Sequence, residues 1–248
     1  QNISNYLIVG IHPGVCVKLA LFDIHCFTYK TSNASQQASF FGSEDYNKKT
    51  SGRREFIIDA LTAGYTVFHT DADAICFKNP FDYIDCPADT CDIAPMIDYI
   101  DDNYAVGCVL VNPTEASISV YKSMRNYNQS LIDQKLFYKS IEDAKMNFTD
   151  FRLLSLSRDQ FISGRAYYEE GERHFADQNK PCPECVMVQN NWIVSMEAKR
   201  YRAKELHHWM YDGNRYYSSK ERKYLVYDNP IEDSSNNYEM NALQTAFA

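Results

Sequence analysis

The sequence lacks an apolar run long enough to cross a membrane, because no stretch approaches about 18 consecutive apolar residues. We expect no secretory leader within these residues, since residues 5–11 have the pattern of a first buried strand rather than a charged segment followed by an apolar one. We therefore expect a domain excised from a longer protein. Any upstream anchor or targeting segment would lie outside these residues.

Positive charge is also scarce. Lys and Arg number 25 against 33 Asp and Glu, which gives a formal net charge of -8. A surface of this sign repels a phosphate backbone, so the composition excludes a general nucleic-acid binder. A phosphate-bearing ligand would need a bound metal ion or a few focused basic residues.

Length and apolar content favour one folded unit, because 248 residues with 45% apolar content can bury about 70–75% of the unfolded surface. Strand patterns over residues 6–11 and 25–29 flank a helix pattern, and such alternation predicts an α/β fold with a parallel sheet. We expect a single domain over residues 1–248, of which 228–248 form a loosely ordered tail.

The middle of the chain continues the alternation of strands and helices. A polar segment over residues 31–50 predicts a surface loop, and helical spacing of apolar residues predicts a helix over about 53–63. Residues 105–111 are nearly all apolar or β-branched, as in a central strand. Thr114 is placed to cap a helix that continues through Met124.

Eight cysteines and four Asn-x-Ser/Thr sequons favour an oxidising, secretory-pathway lumen, because an even number of cysteines permits disulfides and a sequon accepts a glycan. The sequons begin at Asn2, Asn33, Asn128 and Asn147. The alternative is that the sequons occur by chance and that the thiols are buried apolar groups.

One cysteine pair permits other chemistry. Cys182 and Cys185 have the Cys-x-x-Cys spacing of a redox pair, and with Cys86 and Cys91 they would make a four-thiolate zinc site. Structural disulfides fit an oxidising lumen better than either alternative.

The strongest chemical signal is a pair of aspartates at the end of an apolar strand pattern. Asp71 and Asp73 follow residues 65–70, with one small residue between them. In an extended strand, residues two apart point to the same side, so both carboxylates would face one site. Such a pair can hold a hard divalent cation, and strand ends of α/β sheets are where ligands bind. The alternative is a solvated acidic turn.

An ordered series of segments gives the chain its resemblance to a known family. The series comprises residues 64–73, 79–81, 106–114, 159–160 and 189–193, with Lys199 and Trp209. It resembles the nucleotide-diphospho-sugar transferase family, Golgi-type glycosyltransferases with a DxD motif. The resemblance implies the GT-A fold, which is a single Rossmann-like domain with a mostly parallel twisted sheet flanked by helices.

The resemblance implies that the aspartate pair binds Mn²⁺ or Mg²⁺ together with the diphosphate of a nucleotide-sugar donor. Carboxylate oxygens suit these cations, which stabilise the negative charge of a departing diphosphate. Asp73 would be the direct ligand, while Asp71 would contact the ion, its water or the donor ribose. Both are candidate catalytic residues.

The family commonly takes a further metal ligand, often a histidine, from a late strand. This chain has Gln189 and Asn191 at that place, which offer neutral amide oxygens. We expect Gln189 as a metal ligand, with Asn191 as the alternative. His207 and His208 lie further along the chain, where they could cap a helix instead.

Basic and polar residues complete the predicted site. Arg53 and Arg54, at the start of a predicted helix, and Lys199 match basic positions of the family that meet the nucleotide. The alternatives are a solvated helix start and a lysine that reaches along the surface. Asp159 and Gln160 match a motif that the family places near the donor or acceptor sugar, so Asp159 is a catalytic and Gln160 a donor-binding candidate.

The sequence thus predicts a metal-dependent hexosyl- or pentosyltransferase of the Golgi lumen. It would transfer a sugar from a UDP-sugar to a glycan or glycoprotein hydroxyl. The resemblance favours retention of anomeric configuration, by a front-face mechanism because no nucleophile can be assigned. Two alternatives remain: an inactive carbohydrate-binding or scaffold protein of the same fold, and a metal-dependent nucleotidyltransferase.

Overall fold

The computed structural model describes residues 5–11, 13–29, 39–98, 103–168, 183–193, 195–205, 208, 211–212, 215–218 and 223–226. The tail predicted over 228–248 lies outside these described residues, as do His207, Trp209 and the sequons at Asn2 and Asn33. Within the described ranges, no helix is both long enough and apolar enough to cross a bilayer.

Helices and strands alternate along the described part of the chain. The helices are α1 (Pro13–Ala20), α2 (Glu44–Thr62), α3 (Glu115–Ser123), α4 (Asp133–Asn147), α5 (Gly164–Tyr168) and α6 (Met196–Glu205). The strands are β1 (Ile8–Gly10), β2 (Cys26–Thr28), β3 (Val67–Thr70), β4 (Ala74–Cys76), β5 (Ile93–Ile97), β6 (Tyr104–Val111), β7 (Phe161–Ile162), β8 (Met187–Gln189), β9 (Tyr211–Asp212), β10 (Arg215–Ser218) and β11 (Lys223–Val226).

The strands form small sheets rather than one continuous sheet. In two three-stranded sheets, β6 lies between β3 and β5, and β8 lies between β4 and β7. Strand β1 pairs with β2, and β10 lies between β9 and β11. Of these strand pairs, β1–β2 and β7–β8 are parallel, whereas β6 runs antiparallel to both of its neighbours.

The α/β class predicted from the sequence is therefore confirmed, but the mostly parallel sheet is wrong for the strand pairs described. For the pair of β5 and β6, the reason lies in the length of the connection. Strands β5 and β6 are joined by residues 98–103 only. A parallel neighbour requires a crossover of about a dozen residues or more, so such a short link makes the pair antiparallel.

Strand β6 is the centre of the main core, as its apolar sequence predicts. Val109 and Val111 are fully buried, and helices α2, α3 and α4 contribute Leu61, Val120 and Phe137 to the same cluster. Each of these side chains contributes about 1.5–3 kcal/mol by leaving water. The helix predicted after Thr114 is confirmed, since Thr114 forms a capping box at the start of α3. This packing fixes β6, on which the acidic site is built.

Helix α2 begins earlier than the sequence predicts. It starts at Glu44 because the Ser43 side chain caps it, accepting a hydrogen bond from the backbone N–H of Tyr46. The predicted loop therefore ends before this cap. Arg53 and Arg54 consequently lie in the middle of the helix, not at its start.

Disulfides are present, as the cysteine count predicts. Cys16 is bonded to Cys26, and Cys86 to Cys91. Cys185 is also disulfide-bonded. The bond between Cys86 and Cys91 rules out the zinc alternative, because a thiolate site would need both sulfurs as ligands.

Candidate functional site

The aspartate pair lies in a turn that carries the chain from one sheet to another. The strand expected to run through to Asp73 ends instead at Thr70, and β4 begins at Ala74. The backbone N–H of Asp71 donates to the carbonyl of Gly107 (2.8 Å), and the N–H of Asn190 donates to the carbonyl of Asp73 (2.9 Å). The turn thus links β6 and β8, and the expectation of one extended strand is wrong.

Gly107 permits a close approach of two polar side chains to β6. A Cβ atom at this position would lie closer than 3.0 Å to the Asp71 carboxylate and to the Gln189 amide nitrogen. Glycine is therefore required here by space, since both neighbours are parts of the acidic site.

Gln189, at the end of β8, completes the acidic site. Its amide nitrogen donates to Asp71 Oδ2 at 3.1 Å, so its oxygen points away from that carboxylate. Gln189 Oε1 and Asp73 Oδ1 are both buried, and neither has a hydrogen-bond partner within the described part of the chain. Unpartnered buried oxygens are costly, so these two call for a partner beyond the described protein atoms, such as a bound ion or water.

Two cations neutralise the other sides of the carboxylates. Arg53, from α2, bridges Asp71 and Asp133, the first residue of α4. Lys199, from α6, donates its ammonium group to Asp73 Oδ2 at 2.8 Å. The structure thus brings together five of the predicted site residues in one place.

Burial and these cations move the pKa values of the pair in opposite directions. Desolvation raises the pKa of Asp73, with the Lys199 charge acting against it and the Asp71 charge adding to it. Desolvation also acts on Asp71, but the positive charges of Arg53 and Lys199 outweigh it and lower its pKa. Burial and the Arg53 charge lower the pKa of His69 to about 4, so this imidazole is neutral at pH 7.

The donor set fits a hard divalent cation. Within the described ranges, no group of three His, Cys, Asp or Glu side chains is placed to hold a metal. The two carboxylates and the Gln189 amide nevertheless offer oxygen ligands only, which suit Mn²⁺ or Mg²⁺ and not a soft metal. The unpartnered oxygens of Asp73 and Gln189 are the ones such an ion would satisfy.

Other predicted residues lie elsewhere or are otherwise engaged. The Asn191 amide accepts from the N–H of Gly164 (2.6 Å) and donates to Asp98 (3.2 Å), so both of its ends are used internally. Arg54 is bonded to Glu55 and Gln129. This geometry favours Gln189 over Asn191 as the third ligand and Arg53 over Arg54 as the basic residue of the site.

Asp159 and Gln160 lie at the other end of a strand pair from Gln189. Both precede β7, whose Phe161 is opposite Met187 in the parallel register with β8. Asp159 is exposed, and the Gln160 carbonyl accepts from the N–H groups at the start of β8. Their roles toward a sugar stay a prediction, which the position in the sheet does not support.

His208 lies against aromatic rings rather than at the acidic site. Its Nδ1 atom is 3.2 Å from the Tyr168 hydroxyl, and its ring contacts Phe77. Its backbone N–H donates to the carbonyl of Ala203 in α6, which satisfies a carbonyl in the last turns of that helix.

Three residues of the site were not found by sequence reasoning. Gly107 carries a local signal, since glycine inside a strong strand pattern marks a close approach. Asp133 and His69 carry none: Asp133 belongs to a site formed by residues 80 positions apart, and His69 resembles any polar residue of a half-buried strand. Contacts between residues far apart along the chain cannot be predicted from this one sequence.

The fold and the site define an α/β protein in which an acidic turn between two strands is flanked by an arginine and a lysine. The chain belongs to the nucleotide-diphospho-sugar transferase family, whose model matches residues 1–203. The family resemblance inferred from the sequence is thereby confirmed.

Curated relatives from Arabidopsis thaliana are similar to about seven-tenths of the chain. One, a UDP-D-xylose:L-fucose alpha-1,3-D-xylosyltransferase, is 23% identical over 200 residues, which cover 72% of this chain and 53% of the relative. A second, UDP-D-xylose:L-fucose alpha-1,3-D-xylosyltransferase 3, is 23% identical over 202 residues, covering 71% and 51%. The chain thus spans about half the length of the curated relatives it matches.

Among solved structures, the chain is similar to a glycosyltransferase involved in the glycosylation of the major capsid of PBCV-1. The TM-score is 0.49 at 9% sequence identity, over 80% of this chain and 98% of the other.

Proposed function

We propose that this chain is the catalytic domain of a metal-dependent glycosyltransferase. It transfers a sugar from a UDP-sugar to a hydroxyl of a glycan or glycoprotein. Family membership supports a nucleotide-sugar donor. The observation that carries the proposal is the pair of buried, unpartnered oxygens on Asp73 and Gln189 beside a carboxylate that Arg53 holds in place.

Asp73 and Gln189 hold Mn²⁺ or Mg²⁺ in this proposal, with Asp71 beside them. An ion held there would supply Lewis-acid stabilisation of the charge on a departing diphosphate. Arg53 fixes the Asp71 carboxylate from the helix side, and Gln189 fixes it from β8. Because packed elements hold these side chains before the donor binds, little reorganisation is required.

Lys199 would meet the donor phosphates in this proposal. Its ammonium group is bonded to Asp73, and its side chain is 22% exposed, so it can contact a ligand on the same carboxylate. A lysine acts as a point charge toward phosphate. Retention of configuration follows the family resemblance. With both aspartates ion-paired to Arg53 and Lys199, retention would proceed by a front-face mechanism in which positioning does most of the catalysis.

The names of the relatives suggest the first substrates to test, UDP-xylose as donor and an L-fucose residue as acceptor. We also propose a Golgi lumen as the compartment. Its support is the two disulfides within the described residues and the exposure of Asn128 and Asn147, which begin two sequons.

The direct test compares wild type with Asp73→Ala in donor hydrolysis and transfer, with and without Mn²⁺. We expect wild-type activity to require the metal and the variant to be inactive. Asp150→Asn is the matched control, since Asp150 is an exposed carboxylate in a turn and is not among the predicted site residues. Equal activity of wild type and Asp73→Ala would reject metal catalysis at this site.

The same assay separates the alternatives. The first alternative is a scaffold protein that has lost turnover, and the neutral Gln189 at the third ligand position is its support. Such a protein would bind sugars without releasing nucleoside diphosphate. Release of pyrophosphate, in place of nucleoside diphosphate, would identify a nucleotidyltransferase.

A further inference from the structure

Trp192 is held in an unfavourable backbone conformation three residues after Gln189. Its φ is 59°, in the left-handed region that bulky residues avoid, and Ser195 has a φ of 82°. The indole is nevertheless 45% exposed. Strained residues persist where surrounding contacts hold them, and they cluster at ligand sites. The strain therefore calls for a functional explanation of the ring position.

A buried carboxylate anchors the indole. Asp98, at the end of β5, is 6% exposed, and its Oδ1 accepts hydrogen bonds from Trp192 Nε1 (2.7 Å) and from the Asn191 amide (3.2 Å). Its Oδ2 accepts from the Gln134 amide at 3.2 Å. The Arg165 guanidinium lies 5.1 Å from the centre of the indole ring. A half-exposed ring is thus fixed at both its edge and its face.

Helix α4 connects this ring to the acidic turn. Its first residue, Asp133, bonds Arg53, which bonds Asp71, and its second residue, Gln134, bonds the Asp98 that anchors Trp192. Trp192 is three positions after Gln189, so their Cα atoms lie at most about 11 Å apart. Its backbone therefore lies near the candidate metal and diphosphate site.

We propose that the Trp192 indole is a stacking platform for the ring of the acceptor sugar. The inference rests on the proposed function and names a binding site for its second substrate. A pyranose has an apolar face of C–H groups and a rim of hydroxyls. A fixed aromatic ring with polar neighbours matches both, since ligand sites combine aromatic walls with a few placed polar groups.

The acceptor is favoured over the donor by the position of the phosphate-binding groups. The Arg165 guanidinium on the indole face offsets the charge of Asp98, so charge beside the ring does not select a ligand. The donor diphosphate is assigned to the acidic turn, where Lys199 and the candidate metal ligands lie, which leaves the indole for the acceptor sugar.

The test uses Trp192→Gly, because glycine adopts a positive φ without strain and the substitution therefore removes the ring without distorting the backbone. Trp192→Phe is the conservative variant, which keeps an aromatic face. Tyr65→Ala is the matched control, since Tyr65 is an aromatic residue 68% exposed and outside this cluster. Transfer from UDP-xylose to methyl α-L-fucoside and hydrolysis of UDP-xylose by water are measured for each protein.

We expect Trp192→Gly to raise the KM for the acceptor by about tenfold, a value typical of the loss of one aromatic contact. The rate of donor hydrolysis and the affinity for UDP should change by less than about twofold, which is well below the change expected from the loss of one contact. Trp192→Phe should restore most of the acceptor affinity. A parallel loss of UDP binding, or an unchanged acceptor KM, would overturn the proposal.

A second measurement does not depend on turnover. The chain has two tryptophans, so Trp209→Phe leaves Trp192 as the single indole. Its fluorescence is titrated with methyl α-L-fucoside and methyl β-D-galactoside. A saturable change supports the platform even if the wild type hydrolyses no donor, in which case only the proposed function fails. No change with either glycoside overturns the platform.

Discussion

Two aspartates in this molecule each form an ion pair with a basic residue. They differ in whether both carboxylate oxygens have a hydrogen-bond partner. Asp92 accepts from the Arg152 backbone N–H (2.7 Å) and from its guanidinium (2.9 Å), so both carboxylate oxygens are bonded. Asp73 is bonded to Lys199 through one oxygen, while the other is buried without a partner. The first pair is complete and joins two segments. The second is incomplete, which is what a ligand site requires.

The wider census of orphaned atoms supports this contrast. Five buried side-chain atoms lack a partner within the described residues, and three of them belong to His69, Asp73 and Gln189. The presence of three such atoms at or beside the acidic turn supports it as the candidate ligand site more specifically than the Asp-x-Asp motif does.

The largest expected effect is a difference in stability between substitutions in the two ion pairs. Asp92→Asn should lower the free energy of unfolding by about 2–3 kcal/mol, because it breaks a largely buried pair whose arginine is partly exposed. Asp73→Asn should change it by less than about 1 kcal/mol, because burial raises the pKa of Asp73, so loss of this unfavourable charge offsets loss of the contact with Lys199. Urea unfolding followed by circular dichroism measures both. Equal destabilisation by the two substitutions would remove the distinction.

A smaller effect is expected at the glycine beneath the site. Gly107→Ala should cost about 1–3 kcal/mol of stability through overpacking, and should also displace Asp71 and Gln189 and weaken Mn²⁺ binding. Gly64→Ala is the matched control. Gly64 has a φ of 86° and open space around its Cβ position, so that variant should lose about 1 kcal/mol with metal binding intact. Mn²⁺ binding by Gly107→Ala at wild-type affinity would contradict the close approach.

The third ligand should affect which metal is preferred. Gln189→Ala should weaken Mn²⁺ binding by about tenfold, as one neutral ligand is lost. Gln189→His should shift preference toward Zn²⁺ and Co²⁺, because imidazole suits these ions better than an amide oxygen does. Calorimetric titration with each metal measures the change. An unchanged metal order in the histidine variant would indicate that residue 189 does not face the ion.

The smallest expected effect is the acid dependence of the complete pair. Desolvation acts on Asp92, but hydrogen bonds from Arg152 outweigh it and lower its pKa. A carboxyl group whose pKa is lowered by folding stabilises the protein at pH values above its unfolded-state pKa of about 3.9. This stabilisation is lost as the pH falls through the folded-state pKa. The stability difference between wild type and Asp92→Asn should therefore be larger at pH 7 than near pH 3. A difference that grows toward low pH would have the wrong sign.

Much of the fold is predictable from the sequence because its signals are local. The apolar run of β6, the Thr114 cap and the β1–α1–β2 alternation each depend on neighbouring residues, and all three are confirmed. The early start of α2 was also expressed locally, in Ser43 followed by two acidic residues. That signal was missed because the surrounding segment is polar.

The site is only half predictable for a different reason. Asp71, Asp73, Gln189, Arg53 and Lys199 could be named because they match a family pattern, and the structure brings them together. The turn at Asp71 was not predicted, since side-chain alternation cannot show that a strand changes sheets there. Asp98 and Asp133 act through partners far along the chain, and pairwise contacts of that kind leave no trace in one sequence.

The central claim is that the acidic turn binds a divalent cation through Asp73 and Gln189. Titration of Mn²⁺ followed by electron paramagnetic resonance, with and without UDP, tests it most directly. We predict saturable binding that UDP strengthens, and a loss of at least about a hundredfold in Asp73→Asn, since even outer-shell changes cost 10- to 100-fold. Asp92→Asn should bind like wild type. Equal Mn²⁺ affinity in wild type and Asp73→Asn would contradict the account.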